Sequence, residues 1–431
     1  MNGSDTVNGL LEWLESHGTT NKLVDIRYLS KLEGHGVFSK TPLASGQVTL
    51  QVPFKLVMSI ESVAHSDLAP VVEKYPQLPD DELLALHLMH ERNKGGNSFF
   101  APFIASLPTT FDLPIYWTET ELKELEGTNV LLLTQLMKQQ LKRDFDHIHQ
   151  AIVIDNPDVF SSSPTLTLED YTWAMSVIWS RAFGINKGGK YLRVLCPAMD
   201  MFNHDVRINN PLDDFVSFDD EKQMMTHHVP TAVTAGSALN ISYGQYSNAK
   251  LLYSYGFIGR ENTRRAVDFW IKIPPADPYL KLKQTVLDSN KLTREQTYDF
   301  SGTLFTNDVD ERLLATLRVI LMNEQEIPQY NKVKLLAFES SIFSARNELA
   351  VYDNLQAACR RKLTTSSTTL EQDEAILAEM TTELKNPRYL YAVQVRYQDK
   401  QVFTEVIALL ERWKQALRAN PAVYPPSTTR L

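Results

Sequence analysis

Cysteine is almost missing from this 431-residue chain: Cys196 and Cys359 are its only two. Two thiols cannot form a disulfide framework or a cysteine-based zinc site, and their scarcity suits a reducing compartment. No apolar run reaches the roughly 18 residues that a membrane span needs, so no membrane association is expected. The opening stretch, MNGSDTVNGLLEWLESHG, lacks a basic start followed by an apolar core, and it is not arginine-rich and acid-poor. Neither a secretion signal nor a transit peptide is expected, which points to the cytoplasm and to the nucleus as a second location. An excess of basic residues is lacking too. The formal net charge is -9, which argues against direct nucleic-acid binding and is compatible with a basic protein partner. Histidines occur in pairs, His87 with His90, His147 with His149 and His227 with His228, but no carboxylate stands with them at a recognised ligand spacing. Metal binding is not expected.

What is present reads as a soluble globular protein, 43% hydrophobic and 22% charged, and too long for one ordinary core. Leu10, Leu11 and Leu14 at helical spacing, with Gly18 as a stop, predict a short opening helix. From Leu23 to about Ser59 the texture changes to short β-branched runs broken by Gly and Pro: LVDIRYL, GVFS, QVTLQVP and LVMSI. Helical patterns follow in DELLALHLMHERN and in the long run from Asn129 to about Ile154. Strand texture returns in LRVLCPAMDMF, DFVSF, QMMTHHVP and SALNISYG. Beyond about Arg264 the chain turns mostly helical, through DERLLATLRVILMN, YNKVKLLAFESSIFSARNEL, LEQDEAILAEMTTEL and a last run from Pro387 to Ala419. The patch TTSSTT reads as a loop ending in a helix cap. The expected order is β-rich, helical insertion, β-rich, helical.

The stretch CPAMDMFNHD, Cys196 to Asp205, stands out because an apolar run ends in Asn-His-Asp where a Gly/Pro turn would be ordinary. Polar groups set against Met and Phe must satisfy their hydrogen bonds somewhere, and a bound ligand is one way. Two other segments hold unusual residues: EGHGVFS at Glu33–Ser39 and ISYGQYSNAKLLYSYGF ending at Phe257. By itself Gly34-His-Gly36 marks a turn as readily as a backbone approaching a ligand.

Taken in order, LLEWLESHG, EGHGVFSKTPLASGQVTLQVP, FFAPFIASLPTTFDLPIYW, WSRAF, DMFNHD, ISYGQYSNAKLLYSYGF and TTLEQDEAIL resemble the SET-domain methyltransferases of the class similar to the Rubisco large-subunit methyltransferase. The resemblance runs nearly the whole length, and the Asn-His pair followed by Ser-Tyr-Gly and Tyr-Gly-Phe is its most specific part. It implies an α+β fold: a knotted SET β-fold of small sheets in 1–62 and 173–262, a helical insertion in 63–172, and an all-α substrate-binding-like domain in 263–431. It implies S-adenosyl-L-methionine as cofactor, S-adenosyl-L-homocysteine as product, no metal, and a monomer acting on a protein that presents a lysine.

Carried over residue by residue, the resemblance makes Glu33, Gly34, His35, Arg181, Asn203, His204, Tyr255 and Phe257 cofactor contacts and Tyr243 the active-site tyrosine. Arg181, Phe183, Ile185, Asp200 and Tyr243 would line the substrate entrance. Phe183 favours lysine, because the family's histidine-methylating branch has an asparagine where an alkylamine needs an apolar sleeve. One departure is Gly236-Ser-Ala-Leu239 in place of the Gly-Glu-Glu-Leu of many SET domains. The absence of flanking cysteine clusters disfavours a histone substrate; ribosomal proteins and translation factors are the alternatives that the class suggests. The rival readings are a protein-histidine methyltransferase and a SET-fold module that has lost its chemistry.

Overall fold

The computed structural model describes residues 3–160, 166–292, 300–328, 343–379 and 386–420. They fall into two compact units. The first comprises Met1–Tyr116, Thr134–Tyr246 and Tyr253–Glu261; the second comprises Trp117–Leu133, Ser247–Leu252 and Asn262–Leu431. Trp117–Leu133, from within the expected insertion, thus falls in the second unit.

In the first unit the opening helix, Gly3–Ser16, buries Leu10 and Leu14 and stops before Gly18. The strands follow as β1 (Val24–Ser30), β2 (Gly34–Ser39), β3 (Val48–Pro53), β4 (Met58–Ser59), β5 (Phe183–Lys187), β6 (Lys190–Leu195), β7 (Val216–Asp219) and β8 (Met224–His228). They pair antiparallel in three small sheets, ordered β1-β2, β3-β8-β7 and β4-β6-β5. Each sheet is too small to enclose a core alone, so apolar residues from all three, from the opening helix and from the inserted helices merge into one cluster. The inserted helices Asp80–Asn93 and Leu168–Arg181 pack on each other. Thr167 and Asp170 form a capping box that starts the second of these and thereby fixes where its last residue, Arg181, emerges.

Two expected strands are not regular strands. LVMSI is split into a 3₁₀ turn at Phe54–Leu56, the two-residue β4 and a short helix, Ile60–Val63, because Ser59 caps that helix by accepting from the main chain of Glu61 and Ser62. SALNISYG forms isolated bridges only, Phe38 with Ala238 and His204 with Ile241, since each of its two neighbours accompanies it for a residue or two.

The second unit is helical, as expected, with one correction to the all-α reading: it contains an antiparallel sheet, β9 (Ala266–Ile271), β10 (Phe300–Phe305) and β11 (Asp308–Val309), in the order β11-β10-β9. The β9–β10 pair joins segments nearly thirty residues apart, so no short turn announces it; the β10–β11 reversal passes through Asn307, whose φ is +55°. A helix of 33 residues, Pro387–Ala419, packs against Ala345–Thr365 and Leu370–Glu379. Most of the helical pattern expected from Tyr330, residues 330–342, lies outside the described residues, as does 380–384 of the one beginning at Leu370.

Several histidines are core residues. His87, on Asp80–Asn93, is wholly buried with its ring edge-on to Phe100, and His227 is 1% exposed on β8. Burial lowers the His87 pKa to about 4 and that of His227 to about 3. Glu91, His90, Lys94 and Asp67 are the charged neighbours of His87. Both folded values lie below those of the unfolded chain, so the unfolded state takes up protons first as pH falls below about 6.5, and each ring then removes roughly 1.4 kcal/mol of stability per pH unit. Melting temperature is expected to fall between pH 7 and pH 5, and His87→Phe, which retains a ring, should reduce that slope. An unchanged slope would show that His87 is not held neutral.

Candidate active site

The segment 237–241 gathers the three unusual motifs through main-chain hydrogen bonds. On one side Ser39 N donates to Ser237 O at 2.9 Å and Leu239 N to Val37 O at 2.8 Å, which runs the segment antiparallel to β2. On the other, Ile241 N donates to Asn203 O at 2.8 Å and Asp205 N to Ile241 O at 3.1 Å, a parallel arrangement with 203–205. Asn203 Nδ2 donates to the carbonyl of His35 at 3.0 Å and ties the third side. Glycine at residue 36 leaves room for this approach: a Cβ there would lie 2.8 Å from Leu29 Cδ1, the end of an exposed side chain that would have to turn away, and 3.4 Å from Asn203 Nδ2.

Before the Asn-His pair the chain turns sharply. Ala198 is buried at φ +62°, Asp200 N donates to Cys196 O at 3.1 Å, and Met199–Met201 is a 3₁₀ turn. This aims the Asp200 carboxylate inward, where its side chain has no exposed surface. Arg181 Nη1 donates to Asp200 Oδ2 at 2.9 Å and to Asp200 O at 3.0 Å. Burial raises the Asp200 pKa and Arg181 opposes it, while Oδ1 has no hydrogen-bond partner. The buried Cys196 thiol is likewise pushed up, by burial first and by Asp200 second.

Tyr243 joins these groups to an aromatic wall. Its amide donates to His204 Nδ1 at 3.1 Å, so in the neutral ring the His204 proton sits on Nε2. Its hydroxyl donates to Phe202 O at 2.8 Å. Its ring stacks on His204 at 5.2 Å and lies 5.0 Å from Tyr255 and 6.4 Å from Phe257. Burial raises the hydroxyl pKa to about 12, with Arg181 lowering it and Asp200 raising it, so the phenol stays protonated near neutrality. Tyr255 is also raised, by burial first and then by Tyr246 and Tyr243.

The remaining expected residues are placed as follows. Gly34 and His35 open β2, with the His35 ring edge-on to Tyr28 at 5.6 Å. Phe183 and Ile185 are buried at alternate positions of β5, directly after Arg181. Among the described residues no ring contact joins Phe183 to Tyr243 or Tyr255. The Glu33 carboxylate is on an exposed turn, where it accepts from Ser30 Oγ at 3.2 Å. Sequence reasoning missed Phe202, which acts through a carbonyl and leaves no residue-type signal, and Tyr246, whose ring stacks on Tyr255 at 6.1 Å.

The family description Rubisco LSMT substrate-binding matches residues 274–403. The chain is 26% identical over 416 residues to a chloroplastic fructose-bisphosphate aldolase-lysine N-methyltransferase of Arabidopsis thaliana, covering 93% of this chain and 82% of that one. It is also 26% identical over 382 residues to an actin-histidine N-methyltransferase of Xenopus tropicalis, covering 86% and 64%. Among solved structures, the SET domain of LSMT bound to lysine and AdoHcy superposes with a TM-score of 0.84 at 25% identity, over 98% of this chain and 94% of that one. Rubisco LSMT bound to AdoMet gives 0.82 at 26% identity, over 98% and 95%.

The residues gathered here suit such a cofactor. No atom lies within 4 Å of the point where Gly34 would carry a Cβ, which leaves its main chain approachable, and a buried carboxylate oxygen of Asp200 has bonding capacity to spare. Gly244 is a local test of the aromatic wall. Its φ is +145°, and a Cβ would lie 2.4 Å from the ring of Tyr246, which lies against this glycine. Gly244→Ala is expected to cost about 1–3 kcal/mol in urea unfolding, from strain and from displacement of that ring; unaltered stability would show that the ring does not lie there. Fold, motif order and relatives agree: the chain is similar to the SET-domain proteins of the Rubisco large-subunit methyltransferase-like class, and it is an S-adenosylmethionine-dependent methyltransferase of proteins.

Proposed function

We propose that the chain methylates lysine side chains of a non-histone protein, with Tyr243 as its catalytic residue. The observation that carries this reading is the protonated Tyr243 hydroxyl, held by the Phe202 carbonyl and enclosed by uncharged aromatic rings. S-adenosylmethionine, when bound, supplies a methyl group on a positively charged sulfur. The protein has to align an incoming amine with that methyl and keep the amine unprotonated. An ordinary lysine has a pKa of about 10.4, and an apolar, part-desolvated channel lowers it. Tyr243, Tyr255, Phe257 and Phe183 supply such walls, and their ring faces can also contact a methylammonium product. A hydroxyl that donates to a carbonyl keeps its own lone pairs for accepting, so Tyr243 can orient the amine while its proton stays in place.

Asn203, His204, His35, Gly34 and the main chain of Glu33 are assigned to the cofactor. Arg181 holds Asp200, and with Ile185 they shape the lysine entrance. Residues 263–431, much of which the substrate-binding description matches, grip the protein substrate. Phe183 supports lysine over histidine, since an imidazole would need a hydrogen-bonding partner at that wall. The actin-histidine relative of Xenopus tropicalis favours the second reading, and its 26% identity equals that of the lysine-methylating relative.

Tyr243→Phe should leave cofactor affinity unchanged and reduce turnover by about a hundredfold or more, the usual size of one preorganised hydrogen-bonding group at a reaction centre; equal turnover would remove Tyr243 from the mechanism. Asn203→Ala should weaken calorimetric cofactor binding roughly five- to tenfold, the equivalent of about one hydrogen bond. Labelled methyl transfer into a protein extract, followed by peptide mapping, identifies the acceptor. Methyl-lysine supports the proposal, and 3-methyl- or 1-methylhistidine would replace it with the second reading.

A further inference from the structure

His227 lies outside every motif that marks the active site, and it makes the tightest ring stack among the described residues. Its imidazole covers the Phe202 ring with centroids 3.9 Å apart and planes inclined by 25°. Both residues are 1% exposed. The carbonyl of that same Phe202 accepts the Tyr243 hydroxyl at 2.8 Å. Whatever fixes the Phe202 ring therefore limits how its peptide unit tilts, and hence where the Tyr243 proton points.

The imidazole is itself held. His227 Nδ1 and Thr49 Oγ1 are 2.6 Å apart, and Thr49 is 2% exposed. The pairing of β3 with β8 shifts register between Val48 and Leu50, opposite His228 and His227, so Thr49 is the extra residue of a β-bulge. A bulge turns one side chain out of the ordinary alternation, and here that side chain is the hydroxyl against the histidine. A buried histidine is a costly way to fill apolar space: Nε2 has no hydrogen-bond partner, so it gives up its water for nothing in return. A phenyl ring would avoid that cost but could not be pinned by Thr49.

We propose that His227, pinned by the bulged Thr49, is a positioning residue for methyl transfer: it clamps the Phe202 ring so that the Phe202 carbonyl directs the Tyr243 hydroxyl. The idea rests on the catalytic reading of Tyr243. The chain of contacts runs from a sheet remote in sequence to one atom of the reaction centre, and each link is a flat stack or a single hydrogen bond.

The test is a double-mutant cycle on the full chain, with kcat and the KM for S-adenosylmethionine measured separately. His227→Leu removes both stack and pin, and is expected to lower kcat about tenfold with that KM within twofold. Thr49→Val removes only the pin and should lower kcat severalfold, and it keeps the idea testable if the leucine variant folds poorly. His227→Phe keeps a stacking ring and should recover part of the leucine loss. In a Tyr243→Phe background His227→Leu should cost nothing further in kcat, because the hydroxyl that it positions is gone. An equal loss in both backgrounds would overturn the proposal and leave Tyr243 standing, as would wild-type kcat in both His227→Leu and Thr49→Val. Undiminished kcat in Tyr243→Phe alone would overturn the catalytic reading of Tyr243, and this inference with it.

Discussion

The candidate site of the first unit depends on five residues of irregular backbone. Residues 237–241 spend their hydrogen bonds on two different partners, β2 on one side and 203–205 on the other. In this way the Gly-His-Gly strand, the Asn-His pair and the tyrosine that follows Ser242 come to one place, and Asn203 and His204 add side-chain bonds between them. The bonds come from main-chain atoms, so almost any sequence could make them. What the sequence must supply is room and a stopping point. Gly36 gives the room, since a side chain there would push the end of Leu29 aside and crowd Asn203. The left-handed Gly236 and the extended but positive-φ Gly244 bound the segment at either end. The site is thus organised by backbone geometry first, and its chemistry is placed on that frame.

This also explains what could be read in advance. The helices were legible because apolar residues recur at 3.6-residue spacing and because caps such as Thr167 and Asp170 mark their starts. Strands β1, β2, β3, β7 and β8 were legible as short β-branched or apolar runs. SALNISYG was not, since it has the residue types of a strand while neither neighbour stays beside it long enough to make one. Sheet β9-β10-β11 was hidden for a different reason: pairing between distant segments carries no local signature, and the flanking helical patterns are stronger. Within the site, residue types carried expected roles, whereas the acceptor for the Tyr243 hydroxyl carried no signal at all. A carbonyl belongs to every residue, and only the fold decides that it is the one on Phe202.

The motif TTLEQDEAIL shows the same division in the second unit. Sequence reasoning takes its threonines as a loop and cap, and Thr369 does cap the helix with Gln372 in return. The more consequential residue is Asp373, whose side chain is fully buried between Arg396 and Lys400 of the 33-residue helix. Arg396 Nε and Lys400 Nζ reach it at 2.8 and 2.5 Å, and Thr368 Oγ1 donates at 2.8 Å. Arg396 also bonds Glu124 at 2.7 Å, so two carboxylates face two cations. Such a cluster contributes little net stability over an apolar one of similar volume, but removal of either partner leaves a buried charge exposed to nothing. It ties the helix Leu370–Glu379 and the segment around Glu124 to the long helix at defined points.

Asp200 in the first unit stands in contrast to Asp373. Its carboxylate is equally buried, yet only Arg181 answers it, and one oxygen has no partner. Burial therefore dominates and raises its pKa. A fold that needed only stability would complete the bonding of that oxygen or replace the acid. An incompletely satisfied carboxylate beside a tyrosine of raised pKa concentrates unspent polarity at one point of an otherwise closed core. The two aspartates differ in how far their burial is answered: Arg396, Thr368 and Lys400 engage both oxygens of Asp373, whereas Arg181 engages one oxygen of Asp200 and leaves the other with bonding capacity.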